Sequence, residues 1–416
     1  MKNYAAAMLI GLMTSIGLAS SAGAAEPLEI WARTTTANFL PKIVDAFNAS
    51  HKTQVKLNMI PPAEIIQKFG AASAAGTAPQ AVVLDIVQTP AFAHAGELMD
   101  ITDWAKSLPY FSQLSPAHVR HATYKGRIYG VPFDAENSIL LYNKRLFRAT
   151  GLDPDKPPRN WAEITDAAVK ITALGGGKYG YYYPGAASSA NAFEFIPFIW
   201  ATGGDLLSED GTKATLDTPA LRAAIAFYRD LKARKVLPPS FESDTGTDAL
   251  TEFAAGNIGI TPGGGFSIGI LLSKYPDIEF GVTTIPGKDG GFASYAGGDN
   301  FVITKNAKDL DAIKEFIGFA HSIDGQKLLA KGGSIPIRRD LAAAALSESD
   351  PRYAVVIEAQ SHGRTPYSIV HNSIISSTNS PWGQLMQEAI LTDDVDGAII
   401  RAQKGFQSIL DRAPSN

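Results

Sequence analysis

Leu28-Glu-Ile-Trp31, Gln54-Val-Lys-Leu-Asn-Met-Ile60 and Ala81-Val-Val-Leu-Asp85 are the stretches on which the fold turns. The first reads as a short β-strand. The second alternates like a half-buried strand, and the third is a continuous apolar run suited to a strand covered on both faces. Between the first two, Leu40, Ile43, Val44 and Phe47 recur at helical spacing. Thr34–Thr36 and Asn38 stand where a capping side chain belongs. Ala63 to Ala75 is predicted helical as well. Strand, helix, strand, helix, strand predicts a doubly wound α/β unit with a parallel sheet.

Upstream of this unit, Lys2 precedes an apolar run from Tyr4 to Leu18, which ends in Ser20-Ser-Ala-Gly-Ala-Ala25. That pattern predicts a cleavable signal peptide over residues 1–25. The run is shorter than the ~20 apolar residues of a spanning helix. No later segment reads as membrane-spanning, so the expectation is a soluble exported protein with no direct membrane insertion. The chain has no cysteine, so its fold must hold without disulfides and it has no residue for a lipid tether. Its 416 residues suit two domains. Formal charge is −4, with both signs interspersed and no basic stripe. That speaks against nucleic acid and against anionic membrane surfaces as partners.

Downstream, Tyr124-Lys-Gly-Arg-Ile-Tyr-Gly-Val-Pro132 reads as a hairpin leading into Phe133–Asn137, and Ser138–Tyr142 as a strand before a helix that stops near Gly151. Asn160 starts the next helix after a proline-rich loop, and helices dominate from there to about Tyr295. A strand returns at Asn300–Ile303, a helix follows near Leu310–Ser322, and Trp382 to Ile409 is mostly amphipathic helix.

Catalytic signatures are sparse. Cysteine chemistry is impossible, and neither a G-x-S-x-G elbow nor a P-loop occurs. Gly263-Gly264-Gly265 lacks dinucleotide-fingerprint spacing and reads as a tight turn whose amides approach a ligand. His118 and His121 share helical spacing without a third metal ligand, which predicts a solvated pair. His371 lies in a polar stretch suggestive of a site. Asp85, Asp134 and Glu136 fit either of two roles: the carboxylate pair of a glycosidase or acceptors for sugar hydroxyls.

The order and spacing of several segments carry a resemblance. They are Tyr124–Phe133, Leu141-Tyr-Asn-Lys144, Gly151-Leu-Asp-Pro154, Pro158-Arg-Asn-Trp161, Phe253–Ile260, Tyr295-Ala-Gly-Gly298 with Phe301-Val-Ile303, and Gly333–Arg338. Over nearly the whole chain past the leader, it resembles the family 1 extracellular solute-binding proteins of ABC importers. The resemblance implies an α/β, two-lobed periplasmic-binding-protein fold, each lobe a mixed sheet flanked by helices, with a ligand cleft between them. Residues 26–132 and 299–345 would form one lobe, and residues 133–298 and 346–416 the other. Phe133–Asn137 and Gly297–Asp299 would be the crossing segments. It further implies a monomer diffusing in the periplasm, with no cofactor, no metal and no catalysis, that hands its ligand to membrane permease subunits.

Family cleft positions map to Arg33, Thr34, Glu64, Asp85, Gln88, Asp134, Glu136, Asn137, Asn191, Gly264, Gly265, Phe266, Gly298, Asp299, Ser334, His371 and Asn372. Of the aromatics, Phe266 is the expected stacking platform, and at most one of Tyr181–Tyr183 should reach the cleft. Trp161, Trp104 and Trp200 are expected to pack, while Trp31 is open between packing and ligand contact. The carboxylates favour a neutral ligand, and the scarcity of tryptophan, five in the chain, favours a mono- or disaccharide or a glycoside. Glycerol 3-phosphate or a diester of it is the second ligand class, and a secreted glycoside hydrolase is the competing kind of protein.

Overall fold

The computed structural model describes residues 26–186, 188–246, 248–346, 349–377 and 379–413. The expected signal peptide lies outside them. The opening pattern folds as read: β1 (Leu28–Arg33), α1 (Leu40–Ser50), β2 (Val55–Ile60), α2 (Pro62–Ala75) and β3 (Ala81–Asp85). β1 pairs in parallel with β2 on one side and β3 on the other. The apolar face of α1, Leu40, Ile43, Val44 and Phe47, is buried. One detail differs. Neither a threonine nor Asn38 caps α1: Phe39 occupies the cap position, and Thr34–Thr36 form a separate 3₁₀ turn. Pro41 in the first turn has no N–H to satisfy, which lowers the need for a capping side chain.

Two long strands dominate the rest. The first crossing strand runs Gly130–Asn143 and the second runs Phe292–Ile303. The sequence marks only fragments of each, because glycine, proline and acidic residues interrupt the apolar pattern at their centres. They pair antiparallel from Ala296 opposite Asn137 to Val302 opposite Gly130. Register slips where Asp299 faces Asp134 but Asn300 faces Pro132. Phe133 is the extra residue of that bulge, a setting in which a strand tolerates Pro132.

At one end the second crossing strand pairs with β3. At the other end the first crossing strand pairs with Ile258–Gly264 and with Phe280–Thr283. Ile258–Gly264 also pairs in parallel with Tyr179–Tyr181. One path of paired strands therefore threads two lobes.

The strands at Tyr179–Tyr181, Ile258–Gly264 and Phe280–Thr283 correct the expectation of a helix-dominated middle. Their glycines hid them. A Cβ at Gly180 would lie 2.0 Å from the Ala168 carbonyl oxygen, and one at Gly259 would lie 2.5 Å from Ile171 Cδ1. The helix Trp161–Thr172 packs too closely for side chains there. Its N-terminus is as read, with Asn160 Oδ1 accepting from the Glu163 N–H at 2.8 Å. The C-terminal helical stretch is two helices, Pro381–Leu391 and Val395–Arg412. No helix among the described residues is long and apolar enough to cross a membrane.

Trp161 packs face to face with Phe227 at 4.9 Å, and Trp200 is buried, both as expected of core residues. Trp104 is partly buried against the β1–β3 core, with Lys314 Nζ 5.9 Å from its ring. Trp31 packs beside Ile60 and Val82, its Nε1–H donating to Glu29. Another close contact brings the helix Phe266–Lys274 against the turn before Ser334: a Cβ on Gly269 would lie 3.3 Å from Gly333 Cα.

Gly298 tests the crossing. Its φ is +115°, and a Cβ there would meet the Asp134 carbonyl oxygen at 2.3 Å. Gly298→Ala should therefore cost more than strain alone, which is on the order of 1–3 kcal/mol. Gly96→Ala, at φ +69° with nothing within 4 Å, carries strain without a clash. Urea denaturation should rank G298A well below G96A; equal midpoints would refute the close packing at the crossing.

Candidate functional site

Parallel strands in each lobe end on the crossing. β1 ends at Arg33 and β3 at Asp85, and Asp299 pairs with both Asp85 and Asp134. In the other lobe, Ile258–Gly264 ends where Gly264 pairs with Ser138 and the Gly265 N–H donates to Asn137 O. The strand Tyr179–Tyr181 runs the same way. The carboxyl ends of both strand sets thus converge, the position at which open α/β sheets hold ligands.

Arg33 occupies the centre. Its Nε–H donates to Asp299 Oδ1 at 2.8 Å, and one terminal nitrogen donates to Asp85 Oδ2 at 3.0 Å. Beneath it, Asp134 accepts from the Asp299 N–H at 3.0 Å and from Ser334 Oγ at 3.2 Å. Burial opposes the guanidinium charge, but Asp299, Asp85, Glu136 and Asp134 outweigh it, so Arg33 is held even more firmly protonated than usual. Burial drives Asp134 and Asp299 above the ordinary carboxylate range, the stronger rise falling on Asp134 beside Asp299 and Glu136. Burial also pushes part-exposed Glu136 up to about 7, against the pull of Arg33.

The expected site residues therefore divide. Arg33, Asp85, Asp134, Glu136, Gly298, Asp299 and Ser334 form one cluster. Asn137 lies beside it, donating to Ser294 Oγ at 3.2 Å with its own Oδ1 unpartnered. Gly264, Gly265 and Phe266 sit at the strand end; the Phe266 ring lies over Gly264, where a Cβ would meet it at 2.2 Å, and is 39% exposed. Asn191 is buried with Oδ1 unpartnered. Gln88 is buried, Thr34 and Asn372 are exposed, and Glu64 forms an exposed pair with Lys68 on α2. His371 is enclosed between Tyr295 Oη and Ser376 Oγ, and burial lowers it to about 3, so it is neutral.

His118 and His121 are not a solvated pair. Both are buried, and His118 Nε2–H donates to Gly297 O at 2.7 Å. The second crossing strand changes neighbour there, from β3 to Gly363–Arg364, and leaves carbonyls without a ladder partner. His118 and Thr365 Oγ1, which donates to Ala296 O, fill that gap. His321 does the same for Pro132 O on the first crossing strand, at 2.7 Å.

The other lobe contributes a polar cluster, of which sequence reasoning expected only Asn191. Glu194 stands one helical turn beyond Asn191 on Ser188–Trp200, so the two share a face. Phe193, between them, meets Gly297 and Tyr295 at the crossing. Asp244 accepts from Tyr182 Oη at 2.7 Å, while the rings of Tyr181 and Tyr183 pack against Tyr228. Burial, reinforced by Asp244, raises Glu194 to about 8. A signal for Glu194 did exist: it is the lone charge in the apolar run Ala192–Trp200. Nothing in the loop around Asp244 marked it.

The chain belongs to the bacterial extracellular solute-binding proteins, whose family description matches residues 42–355. The diacetylchitobiose binding protein DasA of Streptomyces coelicolor is 27% identical over 338 residues, spanning 76% of this chain and 75% of that protein. An ABC transporter solute-binding protein of Thermotoga lettingae, solved with α-D-tagatose, is 28% identical with a TM-score of 0.80, covering 92% of this chain and 99% of that one. The cyclic α-maltosyl-1,6-maltose binding protein of Arthrobacter globiformis is 25% identical with a TM-score of 0.81, covering 93% and 100%. These relatives are binding proteins with the same two-lobed fold.

Two outcomes test the cluster. Arg33→Met leaves carboxylates buried without their cation and should lower unfolding free energy by about 3–5 kcal/mol in urea titration. Glu136 binds its proton more tightly folded than unfolded, so the stability it contributes is full below about pH 4.5 and is lost as pH rises through about 7. Thermal midpoints of Glu136→Gln should therefore fall less steeply than those of the parent chain between those values; parallel curves would contradict the assignment.

Proposed function

We propose that this chain is the exported, non-enzymatic binding component of an ABC importer. In this reading it captures a small, hydroxyl-rich, non-anionic carbohydrate between its lobes in the periplasm and presents it to the permease subunits. Residues 26–132 with 299–345 form one jaw and residues 133–298 with 346–416 the other, after loss of the leader. The crossing strands carry the rotation, and ligand favours the closed arrangement because only there do both jaws touch it.

The observation that carries the choice of ligand is the charge balance at the crossing. Arg33 is the one guanidinium among four surrounding carboxylates, and its donors are taken by Asp299 and Asp85. A phosphate would meet repulsion without a free cation, whereas hydroxyl groups donate to carboxylate and amide oxygens. The exposed Phe266 ring offers a face for the C–H side of a sugar. The geometry also speaks against a hydrolase. Asp134 is occupied by the Asp299 N–H and Ser334, and Asp299 by Arg33, so neither is turned toward a glycosidic oxygen.

Isothermal titration against mono- and disaccharides, glycerol 3-phosphate and glycerophosphodiesters tests this. Micromolar sugar binding is expected, with the sugar recovered unchanged and a thermal midpoint that rises with its concentration. Binding restricted to the phosphate compounds, or sustained turnover of a bound glycoside, would overturn the reading.

A further inference from the structure

The polar cluster on helix Ser188–Trp200 has a composition that a plain sugar does not require. Its polar atoms without hydrogen-bond partners are Asn191 Oδ1, Glu194 Oε2 and Tyr183 Oη, all enclosed. The Asn191 side chain is 1% exposed and shares a helix face with Glu194. Asn137 Oδ1, at the adjoining crossing, is also without a partner. The two amide oxygens can only accept, and Glu194 joins them as an acceptor once it is ionised. A sugar hydroxyl donates one hydrogen and also seeks one, whereas an ammonium group donates three and accepts none.

Charge leads to the same conclusion. No cation among the described residues pairs with Glu194 or Asp244; Asp244 accepts from Tyr182 Oη and from the Gly246 N–H. Arg33, the guanidinium at the crossing, is already bound to Asp85 and Asp299. An enclosed carboxyl without a cation keeps its proton, as Glu194 does, and ionises when a cation arrives to match it.

We infer that the cluster of Asn191, Glu194 and Asp244 receives a protonated amine of the ligand, so that the captured carbohydrate is an amino sugar with an uncapped amino group. This rests on the reading above that the ligand is a carbohydrate held between the lobes. The ammonium sits against Glu194 and Asp244, Asn191 Oδ1 takes a further hydrogen, and the hydroxyl face of the sugar lies toward Glu136 and Asn137. The groups facing Glu194 are Asp244, the phenols Tyr181, Tyr182 and Tyr183 from the strand end, and Tyr228 from the helix Pro219–Ala233. All are acidic or neutral. With Glu194 raised to about 8, an arriving ammonium lowers it again and expels a proton near pH 7.

The test is calorimetric titration of the full chain with three matched monosaccharides: D-glucosamine, N-acetyl-D-glucosamine and D-glucose. The β-1,4 disaccharides of the same three units follow. The free amine should bind at least ~10-fold more tightly than both neutral partners of its size, as a charge-assisted contact does. Titrations in buffers of different ionisation enthalpy should show net proton release for the amine alone. Glu194→Gln and, independently, Asp244→Asn should each erase the preference, with thermal melts confirming the fold. If a neutral or N-acetylated sugar binds as tightly as the amine, the amine inference falls and the carbohydrate reading stands. If no sugar of either size binds, both fall together.

Discussion

The rest of the structure depends on a guanidinium taken out of water at the end of β1. A charge in that position is tolerated only with matched carboxylates, because desolvating an ion costs more than one contact returns. Asp85 and Asp299 supply the match, and they come from different strands. The ion pair therefore fixes how β1, β3 and the second crossing strand end relative to one another. Asp134 extends the constraint to the first crossing strand through the Asp299 amide. The polarity of the site follows from this arrangement, since the carboxylates needed to hold Arg33 outnumber it.

The two jaws solve different problems. At the crossing, hydrogen bonds are spent on geometry: carboxylates, Ser334 and two buried histidines satisfy one another and the strand carbonyls. Across from it, Asn191 and Glu194 retain acceptors that the protein itself does not fill. The first set fixes the strands, and the second leaves its acceptors open. Residues mapped to a binding site by position thus include several whose work is to hold the strands that frame it.

The fold was legible because β1 to β3 obey simple periodicities and because the order of short segments carried the family resemblance. The crossing strands were legible only in part. A strand that changes partners midway has no single buried face, and Gly298, Pro132 and the acidic residues break its pattern for reasons set by the neighbouring strand. Gly180 and Gly259 concealed two further strands, since the absence of a side chain there answers helix residues Ala168 and Ile171, which lie well upstream in sequence. Charge clusters such as Arg33 with Asp299 join residues far apart along the chain, and only the family likeness placed them together. His118 read as surface because a polar ring at helical spacing carries no mark of the carbonyl it meets. Glu194 was visible as an isolated charge in an apolar helix, whereas Asp244 was an ordinary loop aspartate until the fold brought Tyr182 to it.

Gly269 and Gly333 meet almost backbone to backbone, one on the helix after the glycine turn and the other beside Ser334. The Tyr353 hydroxyl lies against both glycines, so one phenol closes the edge of a contact too narrow for any side chain of its own. A methyl group on Gly269 would thus wedge apart the helix after the glycine turn and the segment that carries Ser334.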